Sequence, residues 1–126
     1  MRILILEDNL FFVPQIESKL QSLGCEVELA STCAIAAELL DDKFTALIAD
    51  LHTKGVLEFV QQLKSTSTLP VLGFCGHAEV ELRKQAKAAG VDHLIPNSEL
   101  LAAIGAILSR IAKRSEAEEE PGSPAS

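Results

Sequence analysis

The stretch "LIADLHTKGVLEF", residues 47–59, joins a strand pattern to a helix pattern. It continues the apolar run "FTALIA", which has the length of a buried strand and leads directly into Asp50. A polar break follows, and after Gly55 helical spacing returns with Val56, Phe59, Val60 and Leu63. We therefore predict a buried strand, a short loop and an amphipathic helix, with one carboxylate at the carboxyl end of the strand.

Similar units flank this stretch on both sides. Before it, the strand pattern "RILILE" leads into a helix pattern over residues 10–24. The strand pattern "CEVELA" then leads into a second helix pattern, which can be capped by Ser31 or Thr32. After it, the strand pattern "LPVLGF" leads into the helix pattern "AEVELRKQAKAAG". The strand pattern "VDHLI" then leads into a helix pattern over residues 99–113. The chain therefore repeats a strand–helix unit five times.

Five strands alternating with five helices predict an α/β fold, in which helices cover both faces of a parallel sheet. Right-handed crossovers leave few topologies, and the flavodoxin-like (βα)5 three-layer sandwich with strand order 2-1-3-4-5 is the commonest. In such sheets the functional site lies at the carboxyl ends of the strands, near the switch between the first and third strands. The residues that end these two strands are therefore the first candidates for function.

Composition indicates one globular domain. The chain has 126 residues, 48% apolar and 23% charged, which is enough to bury a core. We expect this domain to span residues 1–114, followed by a disordered acidic tail or linker over residues 115–126. No apolar run approaches the roughly 18 residues that cross a membrane, and "RILIL" is too short for a signal peptide. We predict a cytoplasmic protein without membrane association.

Charge and cysteine content exclude two further classes. The net charge is −7 and the chain has neither Trp nor Tyr, so we expect no direct binding of nucleic acid. The cysteines Cys25, Cys33 and Cys75 form neither a C-x-x-C pair nor a zinc-like spacing. They are therefore interpreted as reduced thiols of the core.

Three carboxylates follow the two central strands of the predicted sheet. Glu7 and Asp8 end the first strand, and Asp50 ends the third, so the three should converge at one edge. Clustered carboxylates repel one another unless a cation lies among them, and oxygen ligands in a wet site suit Mg²⁺. A carboxylate beside such a metal can act as a nucleophile toward a phosphoryl group, although solvated turn residues are the ordinary alternative.

Three motifs make the sequence similar to a known family. They are "ILILEDN" before an amphipathic helix, "FTALIADL", and "LPVLGFCGHAEVELRKQAKAAGVDHLI" with its "GH" and "AG". Over residues 1–113 the chain resembles the receiver domains of bacterial two-component response regulators. The resemblance maps the phosphoacceptor onto Asp50 and the acidic pair onto Glu7 and Asp8. It implies a weakly held Mg²⁺ bound by Asp8, Glu7, Asp50 and the backbone carbonyl of His52.

The chain departs from this family where receivers sense the phosphoryl group. The Thr or Ser that ends the fourth strand is replaced by Cys75, a weaker donor. The Lys that follows the fifth strand maps onto Asn97, or onto Ile95 if Pro96 is aligned with the family proline. None of these side chains carries a charge. The resemblance therefore indicates an atypical receiver or a pseudo-receiver.

Two further positions differ from the family pattern. The aromatic switch position on the fifth strand corresponds to Leu94, and the loop after Asp50 is about two residues short. Lys54 in this loop is either a substitute cation or an exposed residue at the start of a helix. Phosphorylation should then shift the population of an active conformation less than in an ordinary receiver, because fewer contacts distinguish the two states.

The resemblance implies a signalling protein that acts by regulated protein–protein interaction and is not an enzyme. Asp50 would receive its phosphoryl group from a sensor histidine kinase or a phosphotransfer protein. The pseudo-receiver alternative binds its partner without phosphate. A protein output partner, and in some receivers a second copy in a homodimer, would contact the usual output face, whose candidate residues are Arg83, Lys84, Lys87, Arg110 and Lys113.

Two cofactor-binding readings use the same residues. "DLHTKG" matches D-x-H-x-x-G, in which a His ligates cobalamin, but that motif follows the first strand in cobalamin-binding folds and a Gly-Gly pair is missing here. Binding of FMN would be opposed by the lack of Trp and Tyr and by the charges of Glu7 and Asp8. Both remain remote alternatives within the flavodoxin-like class.

Overall fold

The computed structural model describes residues 1–9 and 11–119. Within them, five strands alternate with five α-helices, and a 3₁₀ turn at Asn97–Glu99 precedes the last helix. The elements are β1 (Arg2–Leu6), α1 (Val13–Ser22), β2 (Glu26–Ala30), α2 (Cys33–Leu39), β3 (Ala46–Asp50), α3 (Val56–Thr66), β4 (Val71–Cys75), α4 (Val80–Ala89), β5 (His93–Pro96) and α5 (Leu100–Glu119).

The strands form one parallel sheet in the order β2-β1-β3-β4-β5. This confirms the predicted flavodoxin-like α/β fold and its strand order. The last aligned pair of β1 and β3 is Leu6 with Ala49. Glu7 and Asp50, the next residue of each strand, therefore emerge side by side at the carboxyl edge.

The central strands are apolar on both sides because each side faces a core. In β1, Ile3 and Ile5 pack with residues of α1 and α5, whereas Leu4 and Leu6 pack with residues of α2, α3 and α4. All four side chains are fully buried. Burial on two faces explains why this strand reads as a continuous hydrophobic run rather than an alternating one.

A close approach between β3 and β4 fixes the loop that follows Asp50. The backbone N–H of Leu51 donates to the carbonyl of Phe74 over 3.0 Å, and the Leu51 side chain is buried. This side chain lies against Gly73, where an added Cβ would be only 2.8 Å from Leu51 Cδ2 and 3.0 Å from Val91 Cγ1. The absence of a side chain at Gly73 therefore leaves room for Leu51, whose burial holds the loop against the sheet.

The amino edge of the sheet is tied together by a polar network. Lys64 Nζ on α3 donates to Asp92 Oδ2 over 2.8 Å and to the carbonyl of Leu69 over 2.9 Å. The same Asp92 oxygen accepts the backbone N–H of Val71 at the start of β4, also over 2.8 Å. One carboxylate thus links the end of α3 to the starts of β4 and β5.

The bounds of two helices differ from the sequence prediction. Helix α1 begins at Val13, and Leu10, the predicted first residue, lies outside the described residues. Helix α5 continues beyond residue 113 to Glu119, so residues 115–119, expected to be disordered, are helical. Four of these five residues are Ala or Glu, which are good helix formers, and this explains the extension. The rest of the expected tail, residues 120–126, lies outside the described residues.

Helix α5, at 20 residues, is also the longest element. Neither it nor any other helix in residues 1–9 and 11–119 combines the length and hydropathy needed to cross a membrane.

Candidate functional site

Three carboxylates meet at the carboxyl edge of the sheet. Glu7 and Asp8 follow β1 and Asp50 ends β3, and one oxygen of each lies within 4.8 Å of the others. They differ in exposure, since Glu7 is buried, Asp50 is half-buried and Asp8 is exposed. The structure therefore brings together the three acidic residues that the sequence singled out.

Glu7 is the most unusual member of this cluster. Its side chain is buried to 1% exposure, and Oε1 accepts the backbone N–H of Asn9 over 2.9 Å. The other oxygen, Oε2, is buried without a hydrogen-bond partner. Burial, followed by contact with the Asp50 carboxylate, raises the pKa of Glu7 to about 7. A buried carboxylate oxygen in this state is stabilised by a proton or by a cation.

Asp50 is oriented by the residue two positions after it. Its Oδ1 accepts the backbone N–H of His52 over 2.9 Å and lies 3.0 Å from Nδ1 of the His52 ring. The Asp50 carbonyl also accepts the N–H of Thr53 over 3.0 Å. Since these bonds come from a loop anchored by Leu51, the carboxylate is held in a defined position at the strand end.

The His52 ring also contacts a second carboxylate, across the sheet edge. Its Nε2 lies 2.7 Å and 2.9 Å from the two carboxylate oxygens of Glu79, in the loop between β4 and α4. Glu79 Oε2 in turn accepts the backbone N–H of Gly76 over 2.6 Å. We call this arrangement of His52, Glu79 and Gly76 the His52–Glu79 clasp. It bridges the loops that follow β3 and β4.

Charges in the clasp stabilise one another. Hydrogen bonding to Glu79, and then to Asp50, raises the pKa of His52 because both partners favour the imidazolium form. The His52 ring, and then the amide of Gly76, lower the pKa of Glu79. With a carboxylate at each ring nitrogen, the doubly protonated imidazole is the form that satisfies both contacts.

A cleft of about 340 Å³ opens beside Asp50. Phe12 and Phe74 form part of its wall, with ring centroids 5.5 Å apart in an edge-to-face arrangement. The cleft brings residues of the β1–α1 loop, the β3–α3 loop and the end of β5 around one space. Its lining consists of Glu7, Asn9, Phe12, Asp50, His52, Phe74 and Asn97.

The two main departures from the receiver pattern lie in different surroundings. Asn97, the residue that follows β5, is exposed and lines the cleft with Asp50 and Glu7. Cys75 is 2% exposed, packs in the core between the sheet and helices α2, α3 and α4, and does not line the cleft. Burial raises the pKa of the Cys75 thiol, which keeps it protonated and uncharged.

Other singled-out residues lie outside the cleft. Leu94 is half-buried against the same core as Cys75. Lys54 is exposed; its carbonyl accepts from Cys33 Sγ over 3.4 Å, and its side chain does not line the cleft. Of the output-face candidates, Arg83 is half-buried and donates to the carbonyl of His77 over 3.3 Å, while the others are exposed, namely Lys84, Lys87, Arg110 and Lys113.

Sequence reasoning missed Glu79 and the side chain of His52. His52 was expected to contribute only its backbone carbonyl, and Glu79 was read as part of a helix pattern. One available signal was the strand order, since β3 and β4 are neighbours and Asp50 aligns with Phe74. Loops that leave neighbouring parallel strands at the same edge should meet, and both loops carry ionisable residues.

Comparison with solved structures identifies the fold. A two-component response regulator from Clostridium difficile aligns with a TM-score of 0.79 at 18% identity, covering 91% of this chain and 98% of that one. A receiver domain of a sensor histidine kinase from Pseudomonas aeruginosa, with a magnesium ion coordinated in its active-site cleft, aligns at 0.75 and 22% identity, covering 88% and 97%.

A chemotaxis response regulator, CheY4 of Vibrio cholerae, gives a TM-score of 0.75 at 22% identity, covering 87% of this chain and 97% of that one. No protein-family model matches the sequence, and no curated protein matches it. The sequence resemblance is thus confirmed at the level of fold: the chain has the fold of the receiver domains of two-component response regulators.

Proposed function

We propose that the chain is a receiver-like signalling domain in which Asp50 accepts a phosphoryl group. The observation that carries this proposal is the convergence of Glu7, Asp8 and Asp50 within 4.8 Å at the carboxyl edge of the receiver fold. Asp50 is oriented through Oδ1 by His52 and borders an open cleft. A fixed, accessible carboxylate among acidic neighbours suits aspartyl-phosphate chemistry.

The residues present fit a magnesium ion. The cluster offers only oxygen donors, and the buried Glu7 Oε2 lacks a partner that a cation would provide. Asp8, Glu7 and Asp50, with the backbone carbonyl of His52, are the proposed ligands. When bound, Mg²⁺ would offset the repulsion between these carboxylates and the oxygens of an incoming phosphoryl group.

The proposed reaction is an in-line transfer to Asp50. A carboxylate oxygen of Asp50 forms a bond to phosphorus while the bond from phosphorus to a nitrogen of a phosphohistidine donor breaks, and the leaving imidazole takes up a proton. His52 holds the attacking carboxylate in position through Oδ1. Phe12 and Phe74 form an apolar wall that limits access of water to the acyl phosphate.

The phosphorylation-independent alternative has its own supporting observation. Cys75 is buried in the core, and Asn97 presents a neutral amide to the cleft. Neither residue offers the charge-assisted contact through which receivers sense phosphate. In this alternative the domain binds its partner through a fixed surface, and its acidic site has no signalling role.

The proposed partners follow from the same fold. A sensor histidine kinase or phosphotransfer protein would supply the phosphoryl group at the cleft. A protein output partner, or a second copy in a homodimer, would bind the face of α4, β5 and α5. The exposed candidate residues of this face are all positively charged, which suits a partner surface that is acidic or carries both charges. They are Lys84, Lys87, Arg110 and Lys113.

Covalent phosphorylation tests the proposal directly. The protein is incubated with acetyl phosphate and Mg²⁺, and its intact mass is measured. We expect one phosphoryl group on the wild type, none on Asp50→Asn, and none when EDTA replaces Mg²⁺. Asp42→Asn, at an exposed carboxylate before β3 and away from the cleft, is the matched control and should be phosphorylated normally. Equal labelling of Asp50→Asn, or an unlabelled wild type, would favour the phosphorylation-independent alternative.

A further inference from the structure

In the His52–Glu79 clasp, the side-chain carboxylate of Glu79 occupies an anion-binding position. The Glu79 carboxylate is held by two donors, the Gly76 N–H at 2.6 Å and His52 Nε2 at 2.7 Å and 2.9 Å. Asp50 Oδ1 contacts the other nitrogen of the same ring at 3.0 Å. An anion-binding position therefore lies one imidazole ring away from the proposed phosphoacceptor.

The local backbone is shaped to admit this carboxylate. A Cβ added at Gly76 would lie only 2.9 Å from Glu79 Oε2, so a larger residue would push the carboxylate away. Gly76 has no positive φ, so its lack of a side chain provides space here and not an unusual backbone conformation. Glu79 is about 39% exposed, which leaves its side chain able to swing into solvent.

We propose that Glu79 is an internal competitor for the phosphoryl site, and that His52 and the Gly76 N–H hold the phosphoryl group once Glu79 leaves. This inference rests on the proposed function and adds a specific device to it. Asp50 aligns with Phe74 on β4, two residues before Gly76, so the donors that Glu79 occupies lie at the end of the neighbouring strand, beside the carboxylate that would carry the phosphoryl group. His52 would then provide the charge-assisted contact that Asn97 and the buried Cys75 do not.

Competition of this kind has a measurable consequence. The apparent affinity for an anion equals the intrinsic affinity multiplied by the fraction of molecules in which the donors are free. Removing the carboxylate of Glu79 should therefore tighten binding of a phosphoryl analogue, whereas removing His52 as well should cancel the gain.

Beryllofluoride, an analogue of the phosphoryl group, is titrated in the presence of Mg²⁺ while backbone amide resonances are followed. We expect Glu79→Ala to bind it about tenfold more tightly than the wild type. Glu79→Ala combined with His52→Ala should lose this gain. Glu81→Ala, which removes an exposed carboxylate from the first turn of α4, controls for net charge and should match the wild type.

The outcomes separate this inference from the proposed function. If the wild type and Glu79→Ala bind equally and Asp50→Asn abolishes binding in both, competition by Glu79 is wrong while the phosphoacceptor stands. If the gain persists without His52, the role of His52 is wrong. If no variant responds in a way that depends on Asp50, the proposed function itself fails. Binding only after removal of Glu79 supports both.

Discussion

Glu7 concentrates the electrostatic cost of the site in one side chain. Its carboxyl group is buried, has an oxygen without a partner, and lies beside Asp50, so ionisation is unfavourable without a cation. The residue is consequently a sensitive reporter of what occupies the cleft. A neutral side chain of the same shape should relieve this cost.

The first prediction concerns Glu7→Gln in metal-free buffer. The pKa of Glu7 is raised from 4.5 to about 7 in the folded state, so the wild type loses stability as pH rises between these values. Glutamine cannot ionise, and the variant should be more stable above pH 7, by up to about 3 kcal/mol from the linkage relation. Urea denaturation across this pH range measures the difference.

Addition of Mg²⁺ provides the control for this prediction. The ion should stabilise the wild type, because it supplies the missing partner of the Glu7 carboxylate. The difference in free energy of unfolding between the wild type and Glu7→Gln should therefore become smaller. If the difference in free energy of unfolding between the wild type and Glu7→Gln is constant from pH 4 to pH 8, Glu7 is not the titrating group.

At this scale the sequence predicted the acidic cluster but not the clasp. Glu7, Asp8 and Asp50 could be brought together because each ends a strand whose place in the sheet followed from the chain order. The contact between His52 and Glu79 spans 27 residues and depends on how two loops fold. Loop geometry of this kind has no periodic signal in a single sequence, whereas the burial of Cys75 agrees with its interpretation as a thiol of the core.

Individual elements are held by local features that substitutions can test. Thr32 caps α2 by accepting the backbone N–H of Ile35 over 3.1 Å, as predicted from the sequence. The close packing of Leu51 on Gly73 and the network around Asp92 could not be predicted, because each depends on contacts between distant segments. The end of α5 was placed too early because the apolar spacing that reveals a helix stops before its last turns.

The second prediction tests the packing beneath the Asp50 loop. Gly73→Ala should destabilise the protein by about 1–3 kcal/mol, since its methyl group would overlap Leu51 and Val91 in a packed core. Gly105→Ala is the matched control, because its Cβ would meet nothing closer than 3.9 Å within helix α5. It should stabilise by about 0.5–1 kcal/mol, and thermal denaturation distinguishes the two directions.

The third prediction concerns the link between α3, β4 and β5. Asp92→Ala should cost more stability than Lys64→Ala, because it leaves the N–H of the fully buried Val71 without its acceptor, whereas Lys64→Ala removes a donor from the carbonyl of the half-buried Leu69. Losses of about 1–3 kcal/mol are expected for such bonds, and the double variant should fall short of their sum. Additive effects in chemical denaturation would show that the two side chains are not coupled.

For the whole molecule, the alternation of strands and helices was sufficient to predict the architecture. Right-handed crossovers and burial on both faces of the sheet leave few arrangements for five such units, and the observed order is the commonest. That order places β1 beside β3 and creates the acidic edge. In the proposed function, a signal from this edge would reach the proposed output face through β5 and its flanking helices.

The fourth prediction addresses this communication. If Asn97 is the position at which a cationic receiver residue is missing, Asn97→Lys should place an ammonium group at the rim of the Asp50 cleft. We expect the beryllofluoride-induced changes in amide shifts over α4 and α5 to grow in this variant. Asn97→Gln keeps an uncharged amide and should behave as the wild type. Equal responses of the two variants would contradict the assignment.

The central claim is that Asp50 and its acidic neighbours form a magnesium-dependent phosphoryl site. The most direct measurement is a beryllofluoride titration of the wild type and of Asp50→Asn, with and without Mg²⁺, followed by backbone amide resonances. We predict saturable shifts around Asp50 in the wild type with Mg²⁺, and none in Asp50→Asn or without the metal. Unchanged spectra at millimolar Mg²⁺, or identical shifts in Asp50→Asn, would contradict the claim.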